Sequence, residues 1–598
     1  MGIKFIQAKY KHIGGNIYLL RVFFILIGIS LLTCAFRSEN DKFKVLVEEF
    51  ISETFASQPA FATACGVHDF DDRLDDIDVA ALENQMGQLE HCAQKLALID
   101  TTKLTLKNRA DYILLNNYIQ NRLLDLKEVK IWEKDPVIFT EALGNSLYWL
   151  LHHESADWDF RLQNILKRLY QVPRFIEQVK DYVVAATPCH ITVAVEQTQG
   201  LIEFIGKDLS ESFHHVPSLQ DTLRQVSREA IQALDSYRKY LRYELLPHAS
   251  EHFRLGEAIF QKKLQLFVGS EITLEEILKL ADEALQNIQS EMMSIAQEVQ
   301  KRHFPERRYA LSNNGFNEQL LSDALNDVMS QSLSKEELLP FLEGQLRDAI
   351  RFVELKELVK FELNVPAKFE FMPLFLQGYS PTYYMLPGIR RDARTPVDHF
   401  TFFFYTGHPQ WNWIQNLNYY KAYNREMLRV FILSYLMPGS YLQYNYLEKN
   451  PSNVQRLLGD PLARGAWQIY SPYIMRKAGY TGYEPRFILM QLKYTFNCIL
   501  DAILDVKIHT ANLSEQDAKI LLRDKGFMKE PEIELHWRKI CLKPTDQTIK
   551  FIGYMKLMQL QNQYREKVGN LYNQKRFNEN VLKSGFIPVH IICKSLLE

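Results

Sequence analysis

The stretch SYLMPGSYLQ, residues 434–443, interrupts the strongest helical pattern in the sequence. The run NREMLRVFILSYLM, which leads into it, has apolar residues at the spacing of a buried helix. Pro438 cannot donate a backbone hydrogen bond, and Gly439 is a poor helix former. Ser434 and Ser440 flank the break, where their hydroxyls can bond carbonyls that the proline frees. Taken alone, the stretch predicts the end or a kink of a core helix.

Helical patterns continue on both sides of this stretch. Residues 273–304 begin with the capping-box pair Thr273 and Glu276, and apolar residues then recur at helical spacing. Similar amphipathic patterns cover residues 159–182 and 217–246. Two more helices are expected to begin at Ser514 and near Thr548.

Two aromatic-rich segments, KFEFMPLFLQG (368–378) and DHFTFFFYTG (398–407), interrupt the helical patterns. Their partial alternation and their bounding Pro and Gly residues predict short strands or a hairpin. No linker rich in Gly, Ser or Pro divides the remainder. We therefore predict a mainly α protein: one large multi-helix domain over residues 41–598, with a small β element at about residues 366–407. Its N-terminal helical half covers about 41–365, and its motif-bearing C-terminal half covers about 366–598.

The charge balance excludes an electrostatic footprint for nucleic acid. The chain has 70 Lys and Arg against 72 Asp and Glu, a formal net charge of −2, and no basic stripe interleaved with aromatics. At 47% hydrophobic residues its composition is that of an ordinary globular protein. Nucleic acid is therefore not an expected partner.

The N-terminal segment has the features of an export signal. Basic residues, from Lys4 to Arg21, precede the short apolar run VFFILIGISLL (22–32), which Thr33 and Cys34 follow. LLTC resembles the lipobox of bacterial lipoproteins, although Thr before Cys is a poor fit. Residues 1–40 are thus predicted to be either a lipoprotein-type signal with a lipidated Cys34 or an uncleaved membrane anchor. Both alternatives make the membrane a partner and place the body in the cell envelope, periplasmic or membrane-anchored.

Local metal and nucleophile motifs are weak. In LLHHESADWDF (150–160), His153 and Asp157 have the i, i+4 spacing of metal ligands on a helix. No third ligand stands out, so a locally hydrogen-bonded helix end is the favoured interpretation. No G-x-S-x-G elbow, phosphate-binding loop or dinucleotide fingerprint occurs, and the cysteines lack C-x-x-C spacing.

The order of motifs in the C-terminal half resembles the bacterial family called domain of unknown function 885, whose members look like exported, helical, metal-dependent peptidases. The family signature runs approximately H-E-A-x-P-G-H-x-x-Q, then E-G-W-A-x-Y, then V-D-x-G-x-H. SYLMPGSYLQ, GAWQIY (465–470) and LDVKIH (504–509) occupy the same frame. QPAFATACGVHDFDDRLDD (58–76), PTYYMLP (381–387) and the ending FNENVLKSGFIPVHII (577–592) resemble further family elements, so the resemblance covers most of the chain after residue 45.

The residues that would bind the family's metal are replaced. Ser434, Tyr435 and Ser440 stand where the first motif has His, Glu and His, and Gly465 stands where the second has Glu. Imidazole and carboxylate groups bind zinc, whereas hydroxyls and phenols must first lose a proton with a pKa far above 7. The resemblance implies zinc for the family, but here we predict no metal, no cofactor and no catalytic residue. The predicted vestigial site is Ser434, Tyr435, Ser440, Gln443, Gly465, Asp505, His509 and Asn578, with Lys550 and Gln561 in place of a family Tyr and Arg.

Three hypotheses follow from the sequence. The first is a catalytically inactive, peptidase-like protein, exported and membrane-attached, whose old cleft binds a peptide or protein ligand or serves as a scaffold. The second is an active hydrolase with changed chemistry that uses His509, Asp505 and a cleft serine. The third is an interaction protein whose surface is the N-terminal half, residues 41–365. Under the first hypothesis, aromatic pocket candidates are Tyr383, Tyr384, Trp411, Trp413, Tyr441 and Trp467, together with Phe403, Tyr405 and Tyr435, although several of these must be core.

Overall fold

The computed structural model describes residues 38–152, 156–250, 252–269, 272–309, 317–386 and 399–597. It is mainly helical with one small sheet, which confirms the predicted fold class. The helices before the sheet are α1 (Glu39–Ser57), α2 (Pro59–Ala64), α3 (Val79–Ala97), α4 (Leu106–Leu123), α5 (Ile131–Lys134), α6 (Val137–His152), α7 (Trp158–Tyr182), α8 (Pro188–Glu203), α9 (Gln220–Lys239), α10 (Glu257–Val268), α11 (Leu274–His303), α12 (Glu318–Met329) and α13 (Lys335–Leu355).

The strands are β1 (Ala367–Phe371), β2 (Thr382–Met385) and β3 (Phe400–Phe404). The helices after the sheet are α14 (Trp413–Ala422), α15 (Arg425–Phe431), α16 (Ser440–Glu448), α17 (Asn453–Leu457), α18 (Pro461–Lys477), α19 (Pro485–Thr510), α20 (Glu515–Asp524), α21 (Glu532–Leu542), α22 (Asp546–Val568), α23 (Gln574–Lys583) and α24 (Val589–Leu597). Turns of π-helix occur at Leu124–Val129, Phe204–Leu209, Tyr240–Leu245 and Ile432–Leu436.

Helix α19 forms the centre of the C-terminal half. It starts at Pro485, whose missing N–H is tolerated in the first turn, and the Glu484 side chain accepts a hydrogen bond from the N–H of Arg486. The helix is apolar on nearly every side, and α11, α15 and α22 pack around it. It is long and apolar enough to cross a membrane, but 94% of its most apolar window is buried inside the protein. We therefore interpret α19 as a core helix.

The sheet has the strand order β1-β3-β2. The sequence predicted strands in residues 368–378 and 398–407, and these segments contain β1 and β3. They pair in parallel, with Ala367 opposite Phe400, and not as a hairpin with each other. β2, which lies in the Pro-bounded segment between them, pairs antiparallel with β3. β3 is therefore the central strand, hydrogen-bonded along both of its edges, and β2 lies at one edge of the sheet.

The predicted helix starts agree well with the structure. The capping box of Thr273 and Glu276 is present at the start of α11. The Ser514 hydroxyl accepts a hydrogen bond from the N–H of Asp517 and begins α20. α22 begins at Asp546, two residues before the predicted start.

The predicted N-terminal signal, including Cys34, lies outside the described residues, and α1 begins at Glu39 after an N-cap at Ser38. His153 and Glu154 also lie outside them. Asp157 is the N-cap of α7, where its side chain accepts a hydrogen bond from the N–H of Phe160. This contact is the local helix-end role that the sequence favoured over a metal ligand.

Polar contacts join the two halves of the chain. Asp111 on α4 accepts hydrogen bonds from Ser452 at 2.7 Å and Gln455 at 2.8 Å, and all three side chains are buried. The Tyr148 hydroxyl on α6 donates to the Glu370 carboxylate on β1 at 2.9 Å. These contacts hold the N-terminal helices against the sheet and the motif-bearing helices.

Candidate functional site

The break at Pro438 and Gly439 redirects the chain between two helices. α15 runs into the π-helical turn at Ile432–Leu436, the Met437–Pro438 peptide is cis, and α16 starts at Ser440. The backbone of Gly439 lies against the previous turn, so that an added Cβ would be 1.9 Å from the Ser434 carbonyl oxygen. Only glycine fits this close approach, which places the start of α16 beside the π-helical turn.

Side chains of the first and second motifs meet at this break. The Ser434 hydroxyl donates to the Gln468 carbonyl at 2.8 Å and accepts from the Tyr494 hydroxyl at 2.8 Å. The Gln468 amide donates to the Ser440 hydroxyl at 3.0 Å, and the Trp467 indole donates to the Pro438 carbonyl at 2.7 Å. Ser434 is fully buried and its hydroxyl is bonded to two protein partners, so it is not accessible to a ligand in the groove.

Gly465, at the position of the family's glutamate, lies where α18 packs on α22. A Cβ at Gly465 would be 3.0 Å from Cγ and 3.1 Å from Cα of Lys550. Gly553 on α22 makes a matching close approach, because its Cβ would lie 2.5 Å from the Leu462 carbonyl oxygen. The two glycines let the helices approach closely, and the space that a longer side chain at position 465 would need is filled by Lys550.

Lys550 is the cation at the centre of this region. Its Nζ donates to the Tyr494 hydroxyl at 3.2 Å and lies 5.9 Å from the ring centre of Tyr435. Burial raises the pKa of Tyr494 well above its usual range, so the phenol is neutral at pH 7. Burial tends to lower the pKa of Lys550, whereas the hydrogen bond to the Tyr494 hydroxyl and the nearby Tyr435 and Tyr494 rings favour the ammonium, and the net direction of the pKa is upward.

This donor set does not fit the metal that the family resemblance implies. Ser434 and Ser440 are hydrogen-bonded within the protein, Gly465 has no side chain, and Lys550 brings a positive charge. A cation and an ammonium in one small space repel each other. Among the residues that the structure describes, no group of three or more His, Cys, Asp or Glu side chains is placed to hold a metal ion.

A groove of about 810 Å³ opens beside these residues. Its walls come from both halves of the chain: Asn145 and Trp149 on α6, the whole of β2, and the motif residues Tyr435, Gly465, Gln468 and Lys550. A smaller chamber of about 60 Å³ lies further in, lined by α15, α19 and α21. Ser380, Tyr435, Lys539 and Lys550 line both spaces and mark where the groove meets the chamber.

The groove carries more positive than negative charge. Lys539, Lys550 and Arg464 line it, and within the described part of the chain none of the three forms an ion pair. Arg456, which also lines the groove, is paired with Glu448 at 3.6 Å. The carboxylates on its wall are Asp75 and Asp546. The arrangement therefore favours a ligand that carries negative charge near the inner end.

Asp505 and His509 lie away from the groove, at the start of α22. Asp505 accepts hydrogen bonds from the N–H groups of Thr545 at 3.0 Å and Thr548 at 3.1 Å, which caps that helix. His509 donates from Nε2 to the Ile540 carbonyl at 3.1 Å and packs against two phenylalanine rings. No serine hydroxyl among the described residues bonds to His509, so the geometry that the second hypothesis requires is absent there.

Asn578 and Gln561 form a separate polar cluster. Gln561 donates to the Tyr470 hydroxyl at 2.8 Å, and Gln574 donates to the Asn578 side-chain oxygen at 2.8 Å. Asn578 itself donates to the Leu358 carbonyl at 2.9 Å. Gln443 points toward the Ala463 carbonyl at 3.5 Å and lines a different small cavity. The predicted vestigial residues are thus distributed over four places, and those on the groove wall are Tyr435 and Gly465, with the two serines just behind.

The aromatic candidates are also divided. Tyr383, Tyr384 and Tyr435 line the groove. Trp467, Phe403 and Tyr405 are buried core residues, and Tyr441 is buried with its hydroxyl on the Val365 carbonyl. Trp411 packs on Tyr405 and Tyr419, while Trp413 is 73% exposed at the start of α14. Aromatic content alone could not separate groove from core, because both use the same residue types.

Sequence reasoning missed the cations Lys539 and Arg464 and the wall residues Asn145 and Trp149. Arg464 precedes the second motif directly, and Lys550 was noted only as a departure from the family pattern. The sequence offered one signal for a positively charged groove: Lys550 stands in place of a neutral residue, close to motif positions that lack the expected metal ligands.

Comparisons with known proteins agree with this description. The sequence model of the family described as "Bacterial protein of unknown function (DUF885)" matches residues 59–596. A solved structure of a candidate lipoprotein of unknown function from Shewanella oneidensis is similar, with 22% identity, a TM-score of 0.74, and coverage of 93% of this chain and 100% of that one. A candidate lipoprotein from Colwellia psychrerythraea is also similar, with 12% identity, a TM-score of 0.73, and coverage of 94% and 99%. No curated protein matches the sequence.

Proposed function

Because the chain belongs to the bacterial family of unknown function DUF885, we propose a function from its groove: a peptidase-like protein that has lost catalysis and binds an extended peptide along the edge of β2. The observation that carries the proposal is a strand edge, unpaired among the described residues, inside a groove of about 810 Å³. An extended peptide can add to such an edge through its main chain.

The strand register identifies the backbone groups involved. The N–H of Tyr405 donates to the carbonyl of Pro381, so residues 381, 383 and 385 face β3. Tyr384 therefore directs its N–H and C=O away from β3, and within the described residues neither group has a partner. The Thr382 carbonyl on the same edge accepts from the Ser380 hydroxyl at 2.8 Å. Tyr384 is thus the position at which a peptide could pair with the sheet.

The proposal excludes metal-dependent hydrolysis because the site lacks donors for an ion. A family-like site would need imidazole and carboxylate groups where this chain has Ser434, Tyr435, Ser440 and Gly465. Losing most of the ligands leaves nothing to hold zinc. Peptide binding needs none of these groups, because strand pairing and aromatic contacts supply the affinity.

We also propose that the protein lies in the cell envelope and is attached to the membrane through its N-terminus. The basic and apolar residues before Cys34 support this location, and both similar solved structures are described as candidate lipoproteins. Metabolic labelling with a palmitate analogue tests the attachment. We expect labelled wild-type protein in the membrane fraction and no label on Cys34→Ser; equal labelling of both would contradict lipidation at Cys34.

Peptide binding is tested with fluorescent short random peptides and the full chain, by fluorescence anisotropy. Two variants isolate the strand edge: Tyr384→Ala keeps the backbone N–H, whereas Tyr384→Pro removes it. One hydrogen bond contributes about 1 kcal/mol, so Tyr384→Pro should bind about fivefold more weakly than Tyr384→Ala. Equal affinities of the two variants would show that the peptide does not pair at Tyr384.

Loss of the metal is tested by elemental analysis of protein purified without chelator. We expect zinc well below one ion per chain, and no change in thermal stability or peptide binding after treatment with a chelator. Stoichiometric zinc, or a peptidase activity that the chelator abolishes, would overturn the proposal that this chain is inactive.

A further inference from the structure

Lys550 is a partly buried cation on the groove wall, and among the described residues no carboxylate lies within ion-pair distance of it. Its polar partner there is the Tyr494 hydroxyl, a neutral group. The Tyr435 and Tyr494 rings lie within 6 Å of its Nζ. A partly desolvated charge without an opposite charge gains no stability from pairing and is available to an anionic ligand.

The acidic groups around the chamber are already engaged. Asp501 accepts a hydrogen bond from His536 at 2.7 Å, and Glu532 is paired with Lys493 at 3.2 Å. Burial raises the pKa of the Cys498 thiol, so it is not a thiolate counter-ion. Asp546, one turn before Lys550 on α22, also lines the groove, but no ion pair joins the two among the described residues. A carboxylate of the ligand can therefore pair with Lys550.

A second lysine reinforces the positive charge at this point. Lys539 on α21 lines both the groove and the chamber, as Lys550 does, and it forms no ion pair within the described part of the chain. The edge strand leads to the same place, because the Tyr384 ring lies 6.5 Å from the Tyr435 ring, and that ring faces Lys550. A ligand that pairs with β2 would thus bring one of its ends toward two ammonium groups.

We propose that Lys550, assisted by Lys539, binds the C-terminal carboxylate of the peptide whose backbone pairs with β2. The chamber of about 60 Å³ accommodates a small group, whereas the groove of about 810 Å³ accommodates the rest of an extended chain. An ammonium is a point-charge donor that suits a carboxylate at the end of a chain. This inference rests on the proposed peptide-binding function and names the part of the peptide that the site selects.

The test compares peptides of one sequence with a free C-terminal carboxylate and with a C-terminal amide. The peptide is a binder selected with the full chain, and affinity is measured by fluorescence anisotropy. For the wild-type protein, amidation should weaken binding about tenfold or more, because it removes a charge-assisted contact. For Lys550→Met, which keeps the side-chain length without the charge, acid and amide should bind equally. Lys279→Met, on the exposed face of α11, is the matched control and should behave as the wild type.

Thermal unfolding without ligand gives an independent readout. Lys550→Met removes a partly buried charge that forms no ion pair among the described residues, so its melting temperature should equal or exceed that of the wild type. A large fall would mean that Lys550 is structural and would overturn the inference. If peptides bind but acid and amide have the same affinity, the carboxylate assignment fails and the peptide-binding function stands. If no peptide binds in either form, both fail.

Discussion

At the scale of single residues, the polar groups at the motif positions bond one another. A chain of hydrogen bonds runs from the Lys550 ammonium to the Tyr494 hydroxyl, then to the Ser434 hydroxyl and the Gln468 carbonyl. Each hydroxyl in it donates once and accepts once, which satisfies buried polar atoms without any ion. These side chains therefore form a closed hydrogen-bond network that needs no metal ion.

His509 gives a prediction about pH at this scale. Burial lowers its pKa to about 4, below the ordinary value near 6.5, so the folded protein binds this proton less readily than the unfolded chain. The contribution of neutral His509 to stability is complete above pH 6.5 and is lost as pH falls toward 4. The difference in unfolding free energy between wild type and His509→Gln should therefore fall by about 2 kcal/mol from pH 7 to pH 5.

Chemical denaturation at several pH values measures this difference. His91→Gln, on the exposed side of α3, is the control and should show a difference that is constant over the same range. A pH-independent difference for His509→Gln would mean that His509 titrates in the folded state as it does in the unfolded chain.

At the scale of elements, two close approaches shape the groove. Gly439 lets α16 start against the π-helical turn, and Gly465 with Gly553 lets α18 and α22 pack closely. The close approach at Gly439 fixes the positions of Ser434 and Ser440. The close approach at Gly465 brings Lys550 to the place where the side chain of the glutamate that the resemblance implies would lie. The helix break at Pro438 and Gly439 therefore has a structural role of its own, because it fixes how α16 starts.

Gly439→Ala and Gly87→Ala form a matched pair at this scale. The Cβ of Gly439→Ala would lie 1.9 Å from a backbone carbonyl oxygen, whereas nothing lies within 4 Å of the corresponding position at Gly87 on α3. We expect Gly439→Ala to lose about 4 kcal/mol or more, or not to fold, and Gly87→Ala to gain about 0.5–1 kcal/mol. Denaturant unfolding monitored by circular dichroism measures both. A Gly439→Ala protein of normal stability would show that the break can relax.

At the scale of the whole molecule, the groove needs both halves of the chain. Asn145 and Trp149 come from α6, β2 comes from the sheet, and Lys550 comes from α22. Buried contacts such as Asp111 with Ser452 and Gln455 hold these parts in register. A binding site built in this way is lost if either half is removed.

Residues 41–598 remain a predicted single domain, and calorimetry can test this. Because polar and apolar contacts cross between the halves, we expect one cooperative thermal transition with matching calorimetric and van't Hoff enthalpies. Residues 41–365 expressed alone should be insoluble or unfolded, because the surface that packs on the sheet would be exposed. Two separate transitions, or a stable isolated half, would contradict a single domain.

The sequence by itself determined the helical class, the starts of α11, α20 and α22 within two residues, and the small β element, and it shows Ser434, Tyr435, Ser440 and Gly465 at the motif positions. These features depend on local periodicity, capping residues and side-chain chemistry, which can be read along the chain. The pairing of β1 with β3, the edge position of β2 and the meeting of Lys539, Arg464 and Lys550 were decided only by the tertiary structure. The physical reason is that these arrangements depend on how distant helices cross and on which side chains share a cavity. Such contacts join residues far apart in sequence and leave no periodic signal in it.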